Sequence, residues 1–141
     1  MRRLLILSLW LSLSSFYTPT YNLNDVYNVL KHLESNNNLR AIGDNGRAYG
    51  VLQIHKICVD DINRIYKTSY SHKQAFNEVH SKEMFFLYIS HGIKMYYKKY
   101  SRLPNEEAIV RMWNGSIYNG YKKSSTERYY KKYKRIKRII N

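Results

Sequence analysis

Apolar residues recur at helical spacing along most of the chain. The stretch "NDVYNVLKHLES" sets Val26, Val29, Leu30 and Leu33 at i, i+3, i+4 and i+7, which is one face of a 3.6-residue period. Asn24 or Asp25 is positioned to cap its start. Turn-formers follow in "SNNNLRAIGDNGRAYG", where Asp44-Asn45-Gly46 suits a tight turn or a small hairpin. A second helix is expected from near Gly50, with Val51, Ile54, Cys58, Ile62 and Ile65 as its stripe. "SHKQAFNEVHSKEMFFLYISHGIKMYYKKY" reads as helical from about Ala75, with room for a break. "LPNEEAIVRMWNGS" has Pro104 near a helix start, acids in the first turn and Asn114-Gly115 as a stop. "SSTERYYKKYKRII" opens on Ser124-x-x-Glu127, the spacing of a capping box, and aligns Tyr129, Tyr133, Ile136 and Ile140. There is no internal repeat and no run that reads as a buried strand. The pattern predicts a mostly α fold: five or so helices, with a small loop or β-hairpin region after the first.

A length of 141 residues favours one domain with a modest core, and 44% hydrophobic residues argue against disorder. Charge changes the picture more. The chain has 24 Lys and Arg against 10 Asp and Glu, a formal net charge of +14. A field of that sign attracts nucleic acid, anionic lipid or anionic cell wall. A compositional reading competes: the chain is rich in Lys, Asn, Ile and Tyr, as AT-rich coding sequence would make it.

The first residues, "MRRLLILSLWLSLSSFYTPT", join a basic n-region (Arg2, Arg3) to an apolar h-region from Leu4 to Leu13. That run is short for a bilayer span, so residues 1–14 are expected to form a signal peptide, with cleavage after Ser14. An uncleaved N-terminal anchor is the alternative. Cys58 is the one cysteine, which excludes an internal disulfide framework and a Cys-based zinc cluster. Export is the expectation, to the periplasm, cell wall or extracellular space.

Glu34 follows Leu33 at the border of the first helix's apolar face, where that helix ends. A carboxyl group there can be partly desolvated, which raises its pKa. A carboxyl that keeps its proton near neutral pH is what a general acid for glycosidic bond cleavage requires. A solvated glutamate at a helix end is the plain alternative.

Further elements recur in one order. Glu34-Ser35 is followed by a Gly-rich loop, "GVLQ" at Gly50–Gln53, "MWNGS" at Met112–Ser116 and "TERY" at Thr126–Tyr129. This order resembles the lysozyme-like soluble lytic transglycosylases, which carry a Glu-Ser pair, Gly-x-x-Gln, an aromatic-Asn-Ala/Gly-Gly motif and a late Thr-x-x-Tyr. The likeness covers roughly residues 24–133, leaving 134–141 as a basic C-terminal helix end. It implies a lysozyme-like α+β domain. By position, it makes Glu34 the catalytic acid/base and Ser35 the neighbour that helps orient the site. Gln53 would line the sugar groove, and Gly50 would permit close backbone approach. Asn114 would be the groove asparagine, Trp113 would stand where the family often has tyrosine, and Tyr129 would lie near the catalytic glutamate. Two departures are visible: Ser116 replaces the motif's second glycine, and "GDNGRAY" replaces the usual "SPAGA"-like loop. Each carried residue also has a plainer reading. Gln53 would be a surface residue, Trp113 and Tyr129 core aromatics, and Asn114-Gly115 a helix stop.

The resemblance implies cleavage of the β-1,4 glycan strand of peptidoglycan between N-acetylmuramic acid and N-acetylglucosamine. It implies a single-glutamate mechanism yielding 1,6-anhydromuramyl products, with no metal or cofactor. The alternative is a hydrolytic lysozyme in which Asp44 supplies a second carboxylate; Asp44 also has a sufficient role as a turn residue ahead of Asn45-Gly46. Two further readings are non-catalytic. "YYKKYKR" interleaves aromatics with cations, as a nucleic-acid-binding module would, but an export signal and the lack of a recognition-helix motif argue against nucleic acid. A wall-binding protein without catalysis would not need Glu34. The basic surface could also hold an enzyme on anionic wall polymer. A monomer is the expectation.

Overall fold

The computed structural model describes residues 20–141. The n-region, the h-region and the expected cleavage after Ser14 lie outside the described residues. The first helix, α1, spans Leu23–Ser35. Its apolar stripe turns inward as the spacing predicts: Val26, Val29 and Leu30 are buried and Leu33 is half-buried. The cap differs from expectation. Asn22, not Asn24 or Asp25, is the N-cap, and its side-chain oxygen accepts from the Asn24 N–H at 2.8 Å. Leu23 packs against the core from inside the helix, so the cap falls one residue before it. Asp25 sits in the first turn, where a negative charge suits the helix dipole.

After α1 the chain forms a three-stranded antiparallel sheet: β1 (Ile42–Gly43), β2 (Ala48–Tyr49) and β3 (Ile54–His55), in the order β1-β2-β3. A 3-10 turn over Asp44–Gly46 joins β1 to β2. The second helix therefore does not begin near Gly50. Gly50 (φ +75°) and Gln53 (φ +51°) are both left-handed, which no α-helix admits. Gly50 cannot carry a side chain either: a Cβ there would lie 1.9 Å from the Ala75 carbonyl oxygen. Helix α2 spans Lys56–Tyr66 and buries Val59 and Ile62. Val51 and Ile54 of the expected stripe are buried, but from the turn and from β3.

A 3-10 turn over His72–Phe76 precedes α3, Glu78–Tyr100, which Asn77 caps and which runs without a break. The helical start expected at Ala75 is thus this turn, closed by a capping box that pairs Ser71 with Gln74. Helix α4 spans Glu106–Gly115, with Asn105 as its cap and Glu106 and Glu107 in its first turn. Two 3-10 turns, Gly120–Lys122 and Ser124–Thr126, lead into α5, Glu127–Ile140. The predicted Ser124/Glu127 capping box does not form. The N-cap is Thr126, and its hydroxyl lies 2.8 Å from the Gly120 carbonyl and 2.7 Å from the Lys123 carbonyl while accepting from Arg111 Nε at 2.9 Å. That hydroxyl ties α4 to the turns before α5. Of the α5 stripe, Tyr133 is fully buried, Tyr129 and Ile136 are half-buried, and Ile140 is exposed.

The fold is mostly helical with one small antiparallel sheet. Its core gathers Val26 and Leu30 from α1, Ile62 from α2, Phe85 and Ile89 from α3, Ile109 and Met112 from α4, and Tyr133 from α5. Helix α5 packs on both α1 and α4, so the C-terminal end of α1 is closed in by residues far along the chain. Among the described residues, no helix is long and apolar enough to cross a membrane.

Candidate active site

Glu34 is the penultimate residue of α1. One side of it faces a cleft of about 300 Å³ and the rest is enclosed. Burial pushes its carboxyl up from an ordinary value of 4.5 to about 7, against the opposing pull of two donors, the Tyr129 hydroxyl and the Trp113 indole N–H. The Tyr129 hydroxyl donates directly to Glu34 Oε1. Burial and the neighbouring Glu34 carboxylate hold the Tyr129 phenol well above its usual range, so it stays a donor. The result is a desolvated carboxyl oriented by two hydrogen-bond donors and able to exchange a proton near neutral pH.

The cleft brings together residues from both halves of the chain. Glu34 comes from α1, Gln53 and His55 from the turn and β3, and Trp113 and Asn114 from α4. Asn114 is exposed at the rim. Trp113 is both wall and core: its ring meets Phe85 edge-on at 5.3 Å between centroids and Tyr88 at 6.2 Å. The groove and core readings of Trp113 are therefore not exclusive, whereas Tyr129 packs against the core and touches Glu34 from behind without lining the cleft.

Gln53 is held rather than free. Its amide nitrogen donates to the Gly50 carbonyl at 2.9 Å. Its amide oxygen fills the space beside Gly43, where an added Cβ would fall 2.0 Å away. Gly50 approaches backbone closely, as expected, but that backbone is Ala75. Ser35 likewise serves the scaffold. Its hydroxyl donates to the Val51 carbonyl at 2.8 Å and accepts from the Asn38 N–H at 3.1 Å, fastening the end of α1 to the turn that carries Gln53.

Asp44 lines the same cleft as Glu34. It sits in the left-handed region (φ +48°), pairs with Arg47 at 2.7 Å and lies 3.5 Å from His55 Nε2. Its turn role and its place on the cleft are thus both real. Unlike Glu34, it is well exposed, at 42% of its side chain. Asp60 and Asp61 point elsewhere, paired with Lys56 at 2.6 Å and Arg64 at 2.7 Å.

Sequence reasoning did not single out His55 or Tyr88, and it read Cys58 as core alone; all three line the cleft. The one available signal was adjacency: His55 is two residues beyond Gln53. Burial pushes the Cys58 thiol far up, so it contributes an unreactive apolar wall. Tyr88 lies on α3, whose pattern gave no hint of a cleft.

Ser116 closes α4 with φ +104° and ψ 137°, a conformation rare for any residue with a Cβ. The turn after Asn114 thus keeps a glycine-like geometry without glycine. Among the described residues, no cluster of three or more His, Cys, Asp or Glu is arranged to hold a metal ion. Comparison with protein-family models, curated proteins and solved structures finds no match to this chain.

Proposed function

We propose that this protein has a lysozyme-like fold and cleaves the β-1,4 glycan strand of peptidoglycan between N-acetylmuramic acid and N-acetylglucosamine. The observation that carries the reading is Glu34: a carboxyl raised to about 7 by burial, gripped by Tyr129 and Trp113, on the floor of a cleft rimmed by Gln53 and Asn114. This is the environment a general acid needs, and it arises at the residue that the motif resemblance selects.

In this reading the protonated Glu34 gives its proton to the glycosidic oxygen as the C1–O bond breaks. The sugar's acetamido group stabilises the cation. The Glu34 carboxylate then takes the proton of the sugar's own C6 hydroxyl, whose oxygen closes on C1. The product is a 1,6-anhydro sugar, the glutamate regains its proton, and no water is consumed. Intramolecular attack benefits from a high effective concentration of the nucleophile. Tyr129 orients the carboxyl through both steps. Trp113 and Asn114 present an aromatic face and an amide to the glycan.

A second reading has its own support, because Asp44 reaches the same cleft. With Asp44 guiding a water, the same Glu34 would serve a hydrolase. Mass analysis of sugars released from purified peptidoglycan tests both readings: anhydro ends for the first, reducing ends for the second, and no released sugars against either. The proposal places the protein outside the cytoplasm, where its substrate is.

A further inference from the structure

Helix α5 has two unlike faces. Tyr129, Tyr133 and Ile136 follow i, i+4, i+7 and turn into the body. Arg128, Lys131, Arg135 and Arg138 follow i, i+3, i+7, i+10 on the other side, with Lys132 and Lys134 beside them, and all six are exposed. A span of ten residues at 1.5 Å each gives a cationic strip about 15 Å long. None of the six is in an ion pair among the described residues. The helix's seventh cation, Lys137, is committed to Glu106 at 2.6 Å. Glu127 is the one acid on α5 and stands at its very start, and residues 108–126 before it contain no acid. Six unneutralised charges held side by side on a rigid helix repel one another and make a field that attracts a counter-charge of matching extent.

We propose that this strip docks a linear phosphodiester-bearing polymer of the cell wall, so that the protein is held on the wall beside its glycan substrate. The inference rests on the peptidoglycan reading for the place where the partner is met. Three of the six heads are guanidinium groups, whose planar fork matches phosphate bidentately. The recurrence of Arg128, Lys131, Arg135 and Arg138 about once per turn suits a repeating anion better than a single ion. Nucleic acid fits less well. The strip offers no free aromatic face for a base: Tyr129 and Tyr133 are turned inward, and Tyr130 is half-buried, stacked near Tyr133 and covered by Lys134 at 5.0 Å. A bilayer fits less well again. The apolar face of α5 is consumed by the core, leaving only Ile139 and Ile140 exposed on this helix, too little for interfacial insertion. Tyr129 meets Glu34 from the inward face, so a polymer on the outer strip leaves the cleft open.

The test uses the exported protein and its triple variant Lys131→Gln/Lys132→Gln/Arg135→Gln, none of which touches the cleft. Four probes are compared by sedimentation or titration: walls bearing poly(ribitol phosphate), the same walls stripped of it with hydrofluoric acid, phosphatidylglycerol vesicles and duplex DNA. Polymer-bearing walls should bind roughly tenfold or more tighter than stripped walls. The triple variant should lose about that factor, and the affinity should fall steeply with salt, as counterion release requires. Equal binding to stripped walls, an unaffected triple variant, or tighter binding to DNA or vesicles than to the polymer would each overturn the docking proposal. Cleavage of a soluble uncrosslinked glycan is measured alongside and should be equal in parent and variant. A parent that binds the polymer yet releases no sugar would sink the glycan-cleaving reading and leave the docking standing.

Discussion

Tyr129 and Glu34 stand 95 positions apart, and the hydroxyl of the first donates to the carboxylate of the second. One lies on α5 and the other at the end of α1, so the bond forms only once the whole domain has closed. Helix α5 is seated for this by Tyr133, fully buried one turn further on, whose hydroxyl donates to Glu106 on α4 at 2.5 Å. The environment of the Glu34 carboxyl is therefore conditioned by the packing of three helices rather than by its own neighbours in sequence.

Glu34→Gln should abolish glycan cleavage with the fold retained, and its stability should reveal the raised pKa. The carboxyl stands near 7 when folded against 4.5 ordinarily, so the folded state holds the proton more tightly. The stabilisation this brings is complete below about pH 4.5 and is lost as pH rises through about 7. At 1.36 kcal/mol per unit, ionising Glu34 in the folded protein costs on the order of 3 kcal/mol. Relative to Glu34→Gln, the parent should therefore melt at progressively lower temperature between pH 4.5 and 8. Parallel melting curves across that range would refute the burial argument, and retained activity would remove Glu34 from the chemistry.

Tyr129→Phe removes one of the two donors that hold the Glu34 pKa down. Burial then acts with less opposition, and the pKa should rise further. In the parent, activity should fall above about pH 7 as the acid form is lost; in the variant that alkaline limb should move to higher pH while the maximal rate drops. A pH–rate profile of parent and variant measures this. An unmoved or downward-moving limb would show that the phenol does not act on the carboxyl.

The pattern of the chain made the helices legible because each long helix buries a stripe, and periodicity reports stripes. It failed at residues 50–55 for a definite reason. Val51 and Ile54 are spaced as a helix would space them, yet they reach the core from a turn and a two-residue strand. Strands that short leave no alternation to read. What fixes the segment is the left-handed backbone at Gly50 and Gln53, and Gly50 is packed against the backbone of Ala75, a residue 25 positions away that no local pattern reveals. The same limit applies at the cleft. Glu34 could be found from its place at the end of α1 taken together with the motif order, His55 had only its adjacency to Gln53 to mark it, and Tyr88 joins through tertiary packing alone.

Gly43→Ala tests whether Gln53 matters as held. The new Cβ would sit 2.0 Å from the Gln53 amide oxygen, so the side chain must swing away and give up its bond to the Gly50 carbonyl. Gly43 has ordinary extended backbone (φ −126°), so alanine itself fits the chain. Loss of one neutral hydrogen bond costs about 1 kcal/mol. A several-fold fall in kcat/KM with a small drop in melting temperature is the expected outcome. Full activity would mean that Gln53 is scaffold and not part of the groove.

Ser116→Gly should stabilise the protein. Ser116 holds φ +104° with ψ 137°, a region glycine enters freely and other residues enter at about 1–3 kcal/mol. Part of the gain is offset by losing the serine oxygen that accepts from the Tyr118 N–H at 3.2 Å and by the greater freedom of glycine when unfolded. A net gain of about 1 kcal/mol, read as a melting temperature a few degrees higher, is expected. A lower melting temperature would mean that the serine hydroxyl holds the turn.

Asp44→Asn decides between the two chemistries. Asparagine tolerates the left-handed backbone at position 44 as well as aspartate does, and its oxygen can still accept from Arg47, now 2.7 Å from Asp44 Oδ1. The turn and the cleft should therefore survive, and what is lost is the charge. If the C6 hydroxyl of the substrate is the nucleophile, no second carboxylate is needed. Muropeptides from parent and variant alike should then end in 1,6-anhydro sugars, one water lighter than hydrolysis products, at rates within a few-fold of each other. If Asp44 activates a water, the parent should release reducing ends that accept borohydride and the variant should lose most of its rate. Asp44 lies on the cleft with Glu34, so the substitution acts at the site in either case. The second pattern would make this a two-carboxylate hydrolase, with Glu34 still the acid and the transglycosylase assignment withdrawn.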